Sequence, residues 1–250
     1  MKKERIDKLL VEFAIVESVA KAQALIMSGV VLVNERRVEK ASEKFAPDTK
    51  IRIKGNIDRL KYVGRGGLKL EKALEAFCIR PNGYVCLDVG ASTGGFTDCL
   101  LQNDVKKVVA VDVGTNQLVW KLRNDARVEV RENVNARYLK PADFTEKIDL
   151  IVVDVSFISV KKILPALVTL LKDDGKIITL IKPQFEVRKG EVETGGIVHD
   201  EEKHQRVIKE VNQAAEKIGL QVSNIIDSPI LGAEGNKEFL ALYENRNARK

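Results

Sequence analysis

The sequence predicts an α/β chain, a Rossmann-like doubly wound sheet preceded by a small N-terminal α+β unit. Three observations carry that prediction. From Tyr84 onward short apolar runs alternate with amphipathic stretches; the segment YVCLDVGASTGGFTDCLL turns through glycines between a strand pattern and a helix pattern; and the first ~60 residues hold a separate helix, helix, strand arrangement.

In chain order, Ile6, Leu9, Leu10 and Phe13 recur at helical spacing, and Val19, Ala22, Leu25 and Ile26 do so again behind Ser18, a residue type that caps helices. Gly29 stops the second helix. Val30–Val33, Arg37–Val38 and Lys50–Ile53 then read as short strands, with Asn34-Glu35 as a turn. The segment KGNIDRLKYV has neither period, which sets a linker at residues 56–63 between a domain at 1–55 and a domain at 64–250. In GRGGLKLEKALEAF, Leu68, Ala73, Leu74 and Phe77 line one side of a helix and bring Lys69 near its first turn, where the helix dipole favours anions. Strands are expected near 84–88, 107–112, 127–131, 148–154 and 176–182, and helices near 95–102, 116–124, 159–171 and 200–218. Residues 222–226 and 238–243 close the chain as a hairpin at one sheet edge.

Composition narrows the function classes. At 250 residues and 44% hydrophobic content the chain is long enough for one large domain and a small partner. Cys78, Cys86 and Cys99 have no metal-ligand spacing and no fourth partner, so neither a zinc site nor a disulfide framework is expected, and they fit a reducing cytoplasm. No apolar run approaches the roughly 18 residues that span a bilayer, and MKKERIDKLLVEF has no secretion-signal pattern. A cytoplasmic protein without membrane contact is expected. The net charge is +6, and residues 1–62 hold 14 Lys and Arg against 9 Asp and Glu, so most of the excess is N-terminal. Such asymmetry suits a polyanionic partner, and equally a lysine-rich solvated surface.

The glycine turn points to a ligand. Gly90, Gly94 and Gly95 allow positive φ and bring backbone amides against it. The spacing departs from the dinucleotide fingerprint, but VKKVVAVD ends in Asp112 about 20 residues further on, where a carboxylate accepts the hydroxyls of a ribose. A nucleoside cofactor is therefore favoured. In an open parallel sheet ligands gather beyond the carboxyl ends of strands, and the polar residues there are Asp88, Asp112, Asp154 and Lys182.

The segments ERIDKLLVEF, KAQALIMSGVVLVN and RRVEKAS resemble the S-four-type RNA-binding domain. The resemblance implies phosphate contacts from Arg5, Lys21, Arg36 and Arg37; this chain departs from the pattern with Glu35 where glycine is usual. Residues 60–245 resemble the FtsJ-type S-adenosylmethionine-dependent ribose methyltransferases. With the leading module, the whole chain resembles the TlyA family of rRNA 2′-O-methyltransferases, historically labelled hemolysins. GRGGLKL, DVGASTGGFTDCLL, VDVGTNQL, VDVSFIS, KPQFE and GNKEFL carry the match in the family's order. It implies a catalytic tetrad of Lys69, Asp154, Lys182 and Glu238. It also implies S-adenosyl-L-methionine bound by Asp88, Gly90, Ala91, Ser92, Gly94, Gly95, Phe96, Asp112, Val113 and Asn135, and ribosomal RNA or subunits as partner. Arg65, Arg188 and Lys189 are added to the RNA contacts, the last two on a substrate-side lid at Gln184–Asp200. The family suggests a cytidine target.

A ribose hydroxyl is a weak nucleophile and a sulfonium methyl a good electrophile, so the site must supply alignment and proton removal. Lys182 is the expected base: Lys69 and burial act to lower its pKa, while Asp154 and Glu238 oppose that and orient the nitrogen. No metal is required, and His199 and His204 read as surface residues without a ligand cluster. Three other readings compete: a base methyltransferase, disfavoured by the tetrad; a cytolysin, for which no lytic helix or span is visible; and an RNA-binding protein with a silent methyltransferase domain.

Overall fold

Isolated helices of two or three turns are marginal in water, so the short N-terminal helices have to be held by what they bury. In a computed structural model, which describes residues 3–13, 15–16, 18–54, 61–193, 195–232 and 235–245, the chain divides into two compact units, Met1–Gly64 and Arg65–Lys250. Residues 56–60 of the expected linker lie outside the described residues.

In the first unit a two-residue strand β1 (Glu4–Arg5) leads into α1 (Ile6–Glu12), which is followed by α2 (Val19–Met27). Ile6, Leu9 and Leu10 pack with Ala22, Leu25 and Ile26 in one fully buried cluster. Ser18 caps α2 as expected, its Oγ accepting from Lys21 N at 3.3 Å. β2 (Val31–Val33), β3 (Arg36–Arg37) and β5 (Ile51–Ile53) form an antiparallel sheet with β2 in the middle, and β4 (Lys44–Phe45) pairs with β1. The turn between β2 and β3 has Asn34 at φ +49° and Glu35 at φ +64°, the two left-handed residues that a two-residue hairpin loop demands. The β1–β4 pair was not legible in the sequence, because two residues carry no alternation.

The second unit opens with α3 (Gly66–Ala76) and continues through β6 (Val85–Val89), α4 (Gly95–Gln102), β7 (Lys107–Val111), α5 (Trp120–Arg123), β8 (Val128–Arg131) and β9 (Ile148–Val153). It then runs through α6 (Leu164–Val168), β10 (Leu171–Ile181), α7 (Pro183–Glu186), α8 (Glu201–Lys217), β11 (Leu220–Asp227) and β12 (Phe239–Asn245). The seven strands lie in the order β11-β12-β10-β9-β6-β7-β8. β6 through β10 are parallel, and β12 pairs antiparallel with both β10 and β11. β6 is buried along its whole length and β9 nearly so, as strands covered on both faces are.

The connection order places the site. From β6 the chain moves outward to β7 and β8, then returns to the other side of β6 as β9 and goes on to β10. Where the two halves diverge, the loops leaving β6 and β9 part and a crevice opens beyond their carboxyl ends.

Several expected elements are shorter or longer than their patterns. The helix expected at 116–124 is the single turn α5, because Asn116 is left-handed at φ +53° and Val119 is extended. The helix expected at 159–171 is a 3-10 turn, Val160–Lys162, followed by α6, whose second residue is Pro165; without an N–H it cannot extend a hydrogen-bonded helix from the residues before it. β10 begins five residues earlier than expected, its pairing with β9 interrupted between Leu171 and Lys176. The supposed loop from Gln184 starts as the helical turn α7. His204, expected on the surface, is buried: its Nε2 lies 2.8 Å from Val198 O and its ring meets Phe239 edge-on.

In the first unit, buried Asp7 receives Arg5 through Nε at 3.0 Å and Nη2 at 2.6 Å, and Gln23 Nε2 at 3.0 Å from α2. The Arg5 hydrogen bonds hold the Asp7 carboxyl at about 2, below its ordinary 3.8. That stabilisation is complete above the ordinary value and is lost as pH falls through it toward the depressed one. Asp7→Ala is expected to cost about 2 kcal/mol of hydrogen-exchange protection across α1 and α2, because the Arg5 and Gln23 side chains both lose their acceptor. Unchanged protection would show that the helices hold together without this carboxylate.

Candidate active site

The turn after β6 is built by close backbone approach. Gly90 has φ +83°, and a Cβ there would lie 2.4 Å from the backbone oxygen of Asp154, which only a residue without a side chain permits. The amides of Gly90 and Ala91 both donate to Val111 O, at 2.8 and 3.2 Å, and Gly94 N donates to Ala91 O at 2.8 Å. The turn therefore clamps the ends of β6, β7 and β9. Gly94 caps α4 at φ +101°, and Gly95 and Phe96 begin that helix fully buried.

Asp112 follows the last residue of β7. Its Oδ2 accepts from Ser92 N at 2.8 Å and its Oδ1 from Gly114 N at 2.7 Å, so the carboxylate is fixed at both oxygens. A carboxylate offers about four acceptor positions, which leaves lone pairs free for a pair of hydroxyls. Val113 beside it is 69% exposed. The Asn135 loop is drawn to the same place, Val134 N donating to Asp112 O at 3.0 Å and Asn133 N to Gly114 O at 3.3 Å. Asn135 Oδ1 accepts from Arg137 N at 3.1 Å.

Asp88, fully buried in β6, is bound at one oxygen only: Oδ2 accepts from Thr97 Oγ1 at 2.6 Å, and Oδ1 has no partner among the described residues. Burial pushes its carboxyl up to about 7, Thr97 pulls against that, and the charge of Asp154 adds to the rise. An acidic oxygen left without a donor beside the glycine turn and the free lone pairs of Asp112 fit an adenosine bearing a cationic, amine-carrying tail.

Lys69, Asp154, Lys182 and Glu238 all line one cleft of about 300 Å³. Lys69 projects from the first turn of α3 and Glu238 stands immediately before β12; Lys69 Nζ donates to Glu238 Oε2 at 2.5 Å with both side chains out of water. The cation at the start of α3, which the helix dipole disfavours, is thus matched by a buried anion. Asp154 and Lys182 stand one residue beyond β9 and β10, and Lys182 Nζ lies 2.6 Å from Asp154 Oδ1 as a charge contact outside hydrogen-bond alignment. Lys182 Nζ also donates to Ser156 Oγ at 3.0 Å. The result is two lysine–carboxylate pairs facing one cleft.

Sequence reasoning missed four supporting residues. Ser156, Thr97 and Glu186 sit inside the VDVSFIS, GGFTD and KPQFE segments, where a polar residue beside a charged one was the available signal. Gly232 is the fourth: a Cβ there would lie 2.1 Å from Glu238 Oε1, so its bareness makes room for the carboxylate. Among the expected RNA contacts, Lys21, Arg36 and Arg37 are exposed in the first unit, and Arg65, Arg188 and Lys189 are exposed in the second, Arg65 lining the cleft. Arg5 is half-buried and lies bidentate on Asp7, so its charge is already matched inside the first unit. No group of three or more His, Cys, Asp or Glu suited to a metal occurs among the described residues, and no described helix is long and apolar enough to cross a membrane.

Residues 62–244 match the FtsJ-like methyltransferase family and residues 4–51 match the S4 domain. The 16S/23S rRNA (cytidine-2′-O)-methyltransferase TlyA of Mycobacterium tuberculosis is 42% identical over 99% of this chain and 92% of its own length. Hemolysin A of Brachyspira hyodysenteriae is 45% identical over 96% of this chain and 99% of its own. A solved structure from Streptococcus thermophilus, labelled a hemolysin, is 46% identical, covers 98% of this chain and 89% of that one, and superposes with a TM-score of 0.76.

The half-satisfied Asp88 makes stability depend on pH. A carboxyl whose folded pKa lies above its unfolded one contributes most below the unfolded value, 3.8, and loses that contribution as pH rises through about 7. Between pH 5 and 8 the ligand-free wild type is expected to lose about 2 kcal/mol more unfolding free energy than Asp88→Asn, measured in denaturant. Parallel curves for the two proteins would contradict a raised Asp88 pKa.

Proposed function

The chain belongs to the TlyA group of FtsJ-like methyltransferases, and from that premise we propose that it methylates the ribose 2′-hydroxyl of a cytidine in ribosomal RNA. The observation that carries this reading is the convergence of the Lys182–Asp154 and Lys69–Glu238 pairs in one cleft whose Asp154 backbone abuts the glycine turn. S-adenosyl-L-methionine, when bound, supplies an electrophilic methyl group on a sulfonium whose positive charge falls as the methyl leaves.

Asp112 would hold the ribose hydroxyls of that cofactor, Val113 and Asn135 would flank its adenine, and the turn from Gly90 through Ser92 to Gly94, with Gly95 and Phe96 behind it, would shape the floor. Asp88 offers its unpartnered oxygen to the cationic tail. Lys182 Nζ takes the proton from the 2′-hydroxyl as the methyl transfers, with Asp154 and Ser156 fixing where that nitrogen points. Lys69, held by Glu238, supplies positive charge to the alkoxide that develops on the ribose oxygen. None of these roles asks for a metal.

Lys21, Arg36 and Arg37 in the S4 unit provide phosphate contacts that position the RNA without reading its sequence. Arg65 at the cleft, and Arg188 and Lys189 beyond α7, add contacts beside the reacting nucleotide. A ribosomal substrate places the protein in the cytoplasm.

The test is methyl transfer from labelled S-adenosylmethionine to purified small and large ribosomal subunits, followed by nucleoside analysis. Labelled 2′-O-methylcytidine is expected, with the rate falling about a hundredfold or more in Lys182→Ala and its rising pH limb removed. Cofactor binding without transfer to either subunit would overturn the substrate, and an unchanged pH limb in Lys182→Ala would overturn the base.

A further inference from the structure

The strand ends that present Asp154 and Lys182 belong to different loops, and a charge pair is only as well placed as the loops that carry it. Five residues past Asp154, Ser159 immediately precedes the 3-10 turn Val160–Lys162. Four residues past Lys182, Glu186 ends α7 and is 7% exposed. Its carboxylate crosses from one loop to the other: Oε2 accepts from Ser159 Oγ at 2.6 Å, Oε1 accepts from Val160 N at 2.6 Å, and Lys161 Nζ lies 3.6 Å away. Lys161 in turn reaches Glu210 of α8 at 3.3 Å. Beside this crossing, the rings of Phe157 and Phe185 stand 5.2 Å apart, one from each loop.

We propose that Glu186 is a positioning residue for the Lys182–Asp154 pair, locking the loop after β9 to the turn after β10 so that the two side chains meet at the cleft. The proposal rests on the reading of Lys182 as the base.

Burying a carboxylate is costly unless donors and a counter-charge meet it, and here two hydrogen bonds and the Lys161 ammonium do, all from the loop after β9. Its burial pushes the Glu186 carboxyl up, with the Ser159 and Val160 hydrogen bonds pulling the other way. The loop it holds is strained. Phe157 is a non-glycine residue at φ +64° and 91% exposed, a conformation that persists only when neighbours fix the backbone around it. The Glu186 carboxylate anchors the far end of this loop, gripping both a side-chain hydroxyl and a backbone amide, while Ser156 and Phe157 meet Lys182 and Phe185 nearer its start. An apolar clamp would bury the loop without setting its register. Glu186 does not line the tetrad cleft, so its influence on the reaction has to pass through the two loops.

The test uses the full chain. Glu186→Ala is expected to lower kcat about ten- to hundredfold while leaving S-adenosylmethionine affinity within about twofold, because displacement of the reacting groups costs rate more than cofactor binding. It is also expected to move the ionisation of Lys182, followed by NMR of isotope-labelled lysine side chains and assigned with Lys182→Arg. Glu186→Gln keeps one oxygen for the Val160 amide and is expected to restore most of kcat and the wild-type titration. A folded Glu186→Ala with an unmoved Lys182 titration, or Glu186→Gln as impaired as Glu186→Ala, would overturn the assignment. Should Glu186→Ala fail to fold, Ser159→Ala removes one of the three contacts and is read by the same titration. If the wild type transfers no methyl group to ribosomal RNA, the reaction reading falls, and the titration still decides the role of Glu186.

Discussion

A charge brought out of water has to meet its opposite, and at the carboxyl edge of this apolar sheet that requirement joins elements that the chain sequence keeps far apart. Lys69 and Glu238 are 169 residues apart and nearly fully buried together, linking the start of α3 to the start of β12. Asp154 and Lys182 do the same for β9 and β10. Removing one member of the buried pair would strand its partner, a loss of several kcal/mol that neither residue would show in isolation. The site and the stability of the sheet edge are therefore built from the same contacts.

The cofactor side depends on that edge through backbone rather than charge. Gly90 lies against the Asp154 carbonyl, and its amide and that of Ala91 are held by Val111, so the glycine turn is tied to both the β9 terminus and the β7 terminus. On the proposed reading, the carboxylate that holds the cofactor ribose and the lysine that takes the substrate proton are set on opposite sides of this seam. The reversal of strand order beside β6 opens room for both ligands at the same crevice.

Where local physics decides, the sequence was legible. Helix α4 falls where GASTGGFTDCLL put it, because a glycine turn and a following apolar stripe leave little choice, and the seven-stranded sheet follows from runs such as VKKVVAV and DLIVVD. That the four tetrad residues share a cleft was expected only from the family resemblance, and which lysine meets which carboxylate was not foreseen, since nothing near Lys69 announces Glu238. Tertiary partners overturned the local readings elsewhere. His204 lies on an amphipathic helix with a polar neighbourhood, yet it turns inward to Val198 O and Phe239. Arg5 reads as a basic surface residue, yet Asp7 engages its guanidinium. The helices α5 and α6 were overextended because helical spacing continues through Asn116, whose backbone is left-handed, and across Pro165, which has no N–H to join α6 to the turn before it.

The central claim is that the two lysine–carboxylate pairs act as one unit on the ribose hydroxyl. A double-mutant cycle on methyl transfer tests it most directly, with Lys182→Ala, Glu238→Ala and the double variant compared at matched cofactor saturation. Groups acting together predict a double variant no slower than the slower single one, within about threefold. Losses that multiply would mean that the Lys69–Glu238 pair only braces the sheet edge, and the claim that it acts on the reacting oxygen would fail.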